Sequence, residues 1–240
     1  MIRFTLVVLV SLVAACSGHD VSRLGNGQPG LNVATAALAG GSPEIALKVA
    51  DGILAGDPGN VPALLAQGDA FNALGQPRDA QASYTKALAG EPGSVEAQVG
   101  LGRLALKTDP AKAQALFLGA LQHDPGNKVA LNDLGIAYDL QSDHSSAQNA
   151  YRKALGADPT MRAAEVNLAL SMALSGQAAE AVRRLKPLAS GPGTSSRLRQ
   201  DLAAALAIAG DKPEAARILS QDMTPEQTRR ALLAYGEFGQ

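Results

Sequence analysis

Proline recurs along the chain at Pro58, Pro92, Pro125, Pro159 and Pro192, with gaps of 34, 33, 34 and 33 residues. An acidic residue stands before four of them: Asp57, Glu91, Asp124 and Asp158. A period of this length, held over several cycles, means that one supersecondary unit is repeated and that each copy buries its apolar face against its neighbours. Other columns keep the same register. One contains only small residues, Ala34, Gly68, Gly102, Gly135, Ala169 and Ala203, and another is alanine six times, Ala46, Ala80, Ala113, Ala147, Ala181 and Ala215. Small residues belong where helix axes approach most closely. A glycine inside a helix costs about 1 kcal/mol relative to alanine, so it persists where close packing offsets that cost. Phe71, Tyr84, Phe117, Tyr138 and Tyr151 fill the space beside these contacts. With aromatics at 3 %, no Trp and 46 % hydrophobic residues, the core is aliphatic and small, which suits packed helices better than sheets.

The columns fit the pattern W-x₂-L-G-x₂-Y…A-x₃-F…P of the tetratricopeptide repeat, and the chain resembles that family. The fourth repeat matches most fully, through Leu131, Leu134-Gly135, Tyr138, Ala147, Tyr151, Ala154 and Pro159. The third lacks one residue in its inner turn near Asp109-Pro110, and the first, with Val33-Ala34, Ala37, Gly41, Ala46, Ala50 and Pro58, matches least. The resemblance implies an all-α fold, a right-handed superhelical solenoid of about six helix–turn–helix repeats. Over 31–222 these fall near 31–60, 61–94, 95–127, 128–161, 162–195 and 196–222. Residues 223–240 depart from the period. Thr224-Pro225-Glu226-Gln227 reads as a helix start, with Thr as N-cap, Pro at the first helical position and Gln three residues after the cap. Leu232, Leu233, Tyr235 and Phe238 then give this helix an apolar surface suited to capping the end of a solenoid.

Residues 1–15, MIRFTLVVLVSLVAA, form a short basic start at Arg3 followed by an apolar run. The run is shorter than the roughly 20 residues a permanent membrane helix needs, and it reads as a signal peptide. Val13-Ala14-Ala15-Cys16 resembles a bacterial lipobox. That resemblance implies acylation of Cys16 and a membrane anchor, and Ser17 in place of Asp favours the periplasmic face of the outer membrane in a Gram-negative host. Residues 16–30 are polar and Gly-rich and read as a tether of roughly 20 Å as a random coil. Cys16 is the single Cys, so no internal disulfide is available.

A net charge of −1 argues against nucleic acid as the main partner. His19, His123 and His144 have no Cys or second His beside them to complete a metal site. No G-x-S-x-G elbow or phosphate-binding glycine loop is present. The chain is therefore expected to be no enzyme, to use no cofactor and no small-molecule substrate, and to bind proteins. The basic residues Arg183, Arg184, Lys186, Arg197 and Arg199 read as a solvated face. The expected partner-binding surface is the concave face of the first helix of each repeat: Leu65, Asp69 and Asn72; Val99, Arg103 and Leu106; Asn132, Ile136 and Asp139; Val166, Leu170 and Ala173. Its mixed character suits an extended segment or an amphipathic helix.

The last third, NLALSMALSGQAAEAVRRLKPLASGPGTSSRLRQDLAAALAIAGD followed by DMTPEQ, resembles the TadD lipoproteins of the tight-adherence (Flp) pilus machinery. What this implies is a scaffold for pilus assembly or secretion at the outer membrane, with the secretin channel or other assembly components as partners. A type IV pilotin-like lipoprotein, or another cell-envelope assembly lipoprotein with the same architecture, is the competing reading.

Overall fold

The computed structural model describes residues 29–191 and 194–236. The expected signal peptide, Cys16, most of the tether, Pro192 and Phe238 lie outside the described residues.

The described residues form thirteen helices and no strand. In order they are α1 (Pro29–Ala39), α2 (Pro43–Gly56), α3 (Val61–Ala73), α4 (Pro77–Gly90), α5 (Val95–Ala105), α6 (Pro110–His123), α7 (Lys128–Leu140), α8 (His144–Ala157), α9 (Arg162–Leu174), α10 (Ala178–Leu188), α11 (Ser196–Ile208), α12 (Lys212–Leu219) and α13 (Pro225–Gly236). Odd-numbered helices are the A helices of the repeats and even-numbered ones the B helices. Contacts divide them into two compact units, one ending at Ala137 and the other beginning at Tyr138. In the first, α1 packs on α2, α3 on α4 and α5 on α6, and α2 also touches α3 and α4 touches α5. In the second, α9 packs on α10, α11 on α12, and α13 on both α11 and α12. This is the helix-on-helix packing of a tetratricopeptide array, as the period predicts.

Local chemistry sets the boundaries. The inner turns of four hairpins use a glycine at positive φ: Gly41 (71°), Gly75 (71°), Gly176 (85°) and Gly210 (93°). In the second repeat Gly75 N–H bonds Asn72 O at 3.0 Å and Gln76 N–H bonds Phe71 O at 2.8 Å. This pair of bonds satisfies carbonyls left open at the end of α3, and the left-handed backbone it requires favours glycine. Between Ala105 and Pro110 the turn is different. No residue there has positive φ, and Asp109 accepts from Lys112 N–H at 2.9 Å to start α6. The residue missing from the third repeat is the one that elsewhere takes the left-handed conformation.

The links between repeats are equally local. Asp57, Pro58, Gly59 and Asn60 separate α2 from α3. Asp57 Oδ1 accepts from Gly59 N–H at 3.3 Å, Asn60 Nδ2 donates to Asp57 Oδ2 at 3.1 Å, and Asn60 Oδ1 caps α3 through Ala63 N–H at 3.1 Å. Asn127 and Ser94 cap α7 and α5 in the same way, through Ala130 N–H at 2.9 Å and Ala97 N–H at 3.3 Å. Asp57, Asp124 and Asp158, each standing before a proline, are thus part of the turns themselves. The link from α10 to α11 is longer, and α10 carries Pro187 within its last turn.

Packing follows the columns. All six alanines of the second small column have 0 % exposure. Four residues further along each B helix stand Ala50, Tyr84, Phe117, Tyr151, Leu185 and Leu219, all buried. This column lies in the core of each repeat, and only in the first repeat is it an alanine. That small side chain accounts for the weak match of the first repeat, whose Val33 and Ile45 remain exposed. Phe71 and Tyr138, on A helices near the inner turns, are only half-buried, so the two aromatic positions of the pattern are not equivalent. A Cβ added at Gly68 or at Gly100 would lie 2.6 Å from the Tyr84 ring, which is therefore clasped between two consecutive A helices. A Cβ at Gly102 would collide with the Phe117 ring.

At the other end, Thr224 and Gln227 make the expected reciprocal cap. Thr224 N–H donates to Gln227 Oε1 at 2.9 Å, and Gln227 N–H donates to Thr224 Oγ1 at 3.3 Å. Arg199 holds the preceding turn through two bonds to Asp222, at 2.6 and 2.5 Å. Helix α13 buries Tyr235 and Thr228 and turns Leu233 outward.

Candidate partner-binding face

The residues expected on the concave face lie on α3, α5, α7 and α9. Leu65, Val99, Asn132, Ile136, Val166 and Ala173 are buried. Asp69, Arg103, Leu106, Asp139 and Leu170 are half-buried, and Asn72 is exposed.

In the first unit, the polar members form a set of internal bonds. Tyr84 O–H, from α4, donates to Asp69 Oδ1 at 2.6 Å. Burial, and after it the charge of Asp69, pushes the Tyr84 phenol well above its ordinary range, so it stays protonated and acts as a donor. Arg103 Nε, from α5, donates to Asp133 Oδ2 on α7 at 2.5 Å. Burial alone would lower the pKa of Arg103; the charge and hydrogen bond of Asp133, helped by the field of Asp69, more than offset this. Asp133 also accepts from Asn132 Nδ2 at 3.1 Å. Alternating charges therefore run along α3, α5 and α7, and the Arg103–Asp133 pair joins α5 to α7. A second chain runs closer to solvent: Gln67 Nε2 donates to Asp51 Oδ1 at 2.7 Å and Gln67 Oε1 accepts from Ser83 Oγ at 2.7 Å.

In the second unit the hub is Asp139. Its Oδ2 accepts from Tyr151 O–H at 2.9 Å, and its Oδ1 accepts from Ser171 Oγ at 2.7 Å and lies 2.8 Å from His144 Nδ1. Both the hydroxyl and the imidazole face the carboxylate, and no ring nitrogen is aimed at the Ser171 oxygen, so the trio does not form a nucleophile–base pair. Its effect is to hold α7, α8 and α9 together at the inner turn. Burial is the largest influence on Asp139 and raises its carboxyl above the ordinary range, while hydrogen bonds from His144, Ser171 and Tyr151 offset this in part. A carboxyl raised in the folded state binds its proton more tightly there than in the unfolded chain. Its contribution to stability is fully present below the unfolded carboxylate pKa and is lost as pH rises through the folded value. Compared with Asp139→Asn, the wild-type chain is expected to gain stability as pH falls from about 7 towards about 4. Urea midpoints of both proteins across that range check this; a difference that grows with rising pH would show that the hydrogen bonds outweigh burial.

One rule connects the two clusters. Where the B-helix core column is tyrosine, an aspartate on the A helix of the same repeat receives its hydroxyl: Asp69 for Tyr84, Asp139 for Tyr151. Where the column is Phe117, the A helix carries Arg103 in place of an acid, and that side chain turns to the next repeat. Reading each aspartate beside the tyrosine of its own repeat would have revealed this. The glycine that clasps Tyr84 from the far side, Gly100, falls outside both small columns.

The basic residues near the last repeats are balanced at close range. Arg184 pairs with Glu165 at 2.9 Å and Glu180 at 3.1 Å, Arg183 pairs with Glu180, Arg197 pairs with Asp201 at 3.1 Å, and Arg199 pairs with Asp222. They form no continuous cationic patch. Among the described residues, no group of His, Cys, Asp and Glu is arranged to hold a metal ion, and no helix is long and apolar enough to cross a membrane.

These features define an all-α array of tetratricopeptide-type helical hairpins. The family model described as Tetratricopeptide repeat matches residues 65–127 and 107–161, and several solved structures share the fold. The structure of PilW, titled a widely conserved type IV pilus biogenesis factor, aligns with a TM-score of 0.72 at 24% identity, covering 90% of this chain and 99% of that one. PilF of Pseudomonas aeruginosa aligns with a TM-score of 0.68 at 20% identity, over 87% of this chain and 94% of that one. MamA aligns with a TM-score of 0.53 at 27% identity, over 64% of this chain and 91% of that one. No curated protein sequence matches the chain.

Proposed function

We propose that this chain is a lipid-anchored scaffold that holds protein partners during assembly of a pilus at the outer membrane, within the tight-adherence (Flp) machinery. The observation that carries the pilus reading is the near end-to-end alignment with PilW, a type IV pilus biogenesis factor, over 90% of this chain and 99% of that one. The lipobox at Val13-Ala14-Ala15-Cys16 supports the anchor, and the resemblance of the last third to the TadD lipoproteins favours the tight-adherence branch. The PilW and PilF alignments favour the second reading, a type IV pilotin-like protein. In either case the partner contacts the A helices through the side chains that solvent reaches. On α3 and α5 these are Asn72, Leu106 and the outer edges of Asp69 and Arg103; on α9 it is Leu170.

Crosslinking the full-length lipoprotein in its native membranes, with a Cys16→Ser control, tests both parts. Recovery of a secretin or pilin-export component with the wild type, reduced in the control, is the expected result. Flp-type components would select the first branch and type IV components the second. Recovery of envelope proteins with no pilus component would overturn the pilus role.

A further inference from the structure

Helix α13 packs on α11 and α12, as α11 packs on α9 and α10. It is placed as the A helix of a further repeat, and among the described residues no B helix follows it. Between α12 and α13 lies an open cleft of about 610 Å³. Pro213, Ala216 and Ser220 on one helix, and Thr228, Leu232 and Leu233 on the other, are among its walls. Each helix thus presents a stripe at helical spacing. Three observations bear on what fills the cleft. Leu233, at 68 % exposure, is the most exposed large hydrophobic side chain among the described residues. Thr228 is only 8 % exposed and its Oγ1 is shut off from solvent, so this wall of the cleft is apolar in effect. Finally, the edge of the cleft carries Lys212, Arg217 and Arg229 and no acidic side chain; Arg217 is balanced by Glu214 at 2.6 Å, and Lys212 and Arg229 leave a positive excess.

We propose that this cleft docks an amphipathic helix of a partner protein whose apolar side chains are flanked by Asp or Glu. The incoming helix would pack along α12 and α13. Its apolar face would cover Ala216, Leu232 and Leu233, and its acidic flank would lie against Arg229 and Lys212. Helix-in-groove recognition of this kind is read through anchors at i, i+3, i+4 and i+7. A second copy of this chain is the poorer occupant, because a two-fold contact through this cleft would set the same cationic edge against itself. The inference deepens the scaffold reading without depending on which machinery the scaffold serves.

The probes are two synthetic helical peptides with the same leucine face, one flanked by Glu and one by Lys, titrated against the full mature chain by fluorescence anisotropy. The Glu peptide is expected to bind and the Lys peptide to bind at least about tenfold more weakly, with the difference shrinking at high salt. Leu233→Asp is expected to weaken the Glu peptide by about tenfold or more, the equivalent of losing one buried leucine. Leu233 is exposed, so this variant should keep the wild-type circular dichroism and melting curve. Equal binding of both peptides, or no effect of Leu233→Asp in a folded protein, would overturn the proposal. A photo-crosslinking residue at position 233, compared with one at position 72, separates this test from that of the scaffold itself. In native membranes, an adduct at 233 mapping to an acidic amphipathic segment of another protein supports the cleft. Adducts only at 72, or adducts at 233 within this chain or to a second copy, overturn the cleft while leaving the scaffold reading in place.

Discussion

Arg103→Met is expected to destabilise the first unit by about 3 kcal/mol, measured as the loss of unfolding free energy in urea. The substitution keeps most of the aliphatic volume and removes the ion pair with Asp133, whose residue exposure is only 4 %. Stripping a buried carboxylate of its partner costs about 3–5 kcal/mol, because the remaining charge must be held away from water. The low end applies here, since about a quarter of the Arg103 side chain is exposed and Asn132 Nδ2 still donates to Asp133. The double variant Arg103→Met/Asp133→Leu tests the cause. Replacing a buried pair with apolar groups is often close to neutral, so the second change should restore most of the loss, giving a coupling of about 1 kcal/mol or more. If Arg103→Met costs as little as a surface pair, or the double variant is as unstable as the sum of its parts, the ion pair is not what joins α5 to α7.

Phe117→Ala is expected to cost about 3–5 kcal/mol, the range for emptying the site of a buried phenylalanine. Phe117 has 0 % exposure, and Gly102, on the facing helix, has no side chain with which to fill the space. In an array each repeat is stabilised by its neighbours, so a void in the third repeat also weakens the contacts on either side. The urea transition should therefore broaden as well as shift. Phe71→Ala is the matched control: its ring is half-buried, and its loss should be about half as large or less. Equal effects at the two positions would mean that the B-helix column is not the core.

The period, the small columns and the C-terminal cap were legible because each is written in residues close in sequence or repeated at a fixed interval. Six alanines in one column announce a close helix contact before any coordinates are known, and Thr224 with Gln227 encodes a cap within four residues. The polar clusters were harder to read. The bond from Tyr84 to Asp69 joins two columns, and its counterpart from Tyr151 to Asp139 uses an acid one helical turn away, so no single column carries the signal. Asp69, Arg103 and Asp139 looked like groove residues because their helical position is right for one; which way each side chain turns depends on what the neighbouring repeat offers. The balancing of Arg184 and Arg199 rests on contacts across 19 and 23 residues. The α12–α13 cleft depends on how far two helices splay, which hydrophobic periodicity does not specify.

The links built from Asp57 to Asn60, and their counterparts, have a consequence for how such a chain changes over generations. The joints from α2 to α3, α4 to α5 and α6 to α7 are each completed by their own four residues, with the acid, the proline and the cap supplied on the spot. A duplication or loss of one whole unit would leave every remaining joint chemically intact. The number of units is then open to selection by itself, and the span of the array can be lengthened or shortened in steps without redesigning the parts that already fit.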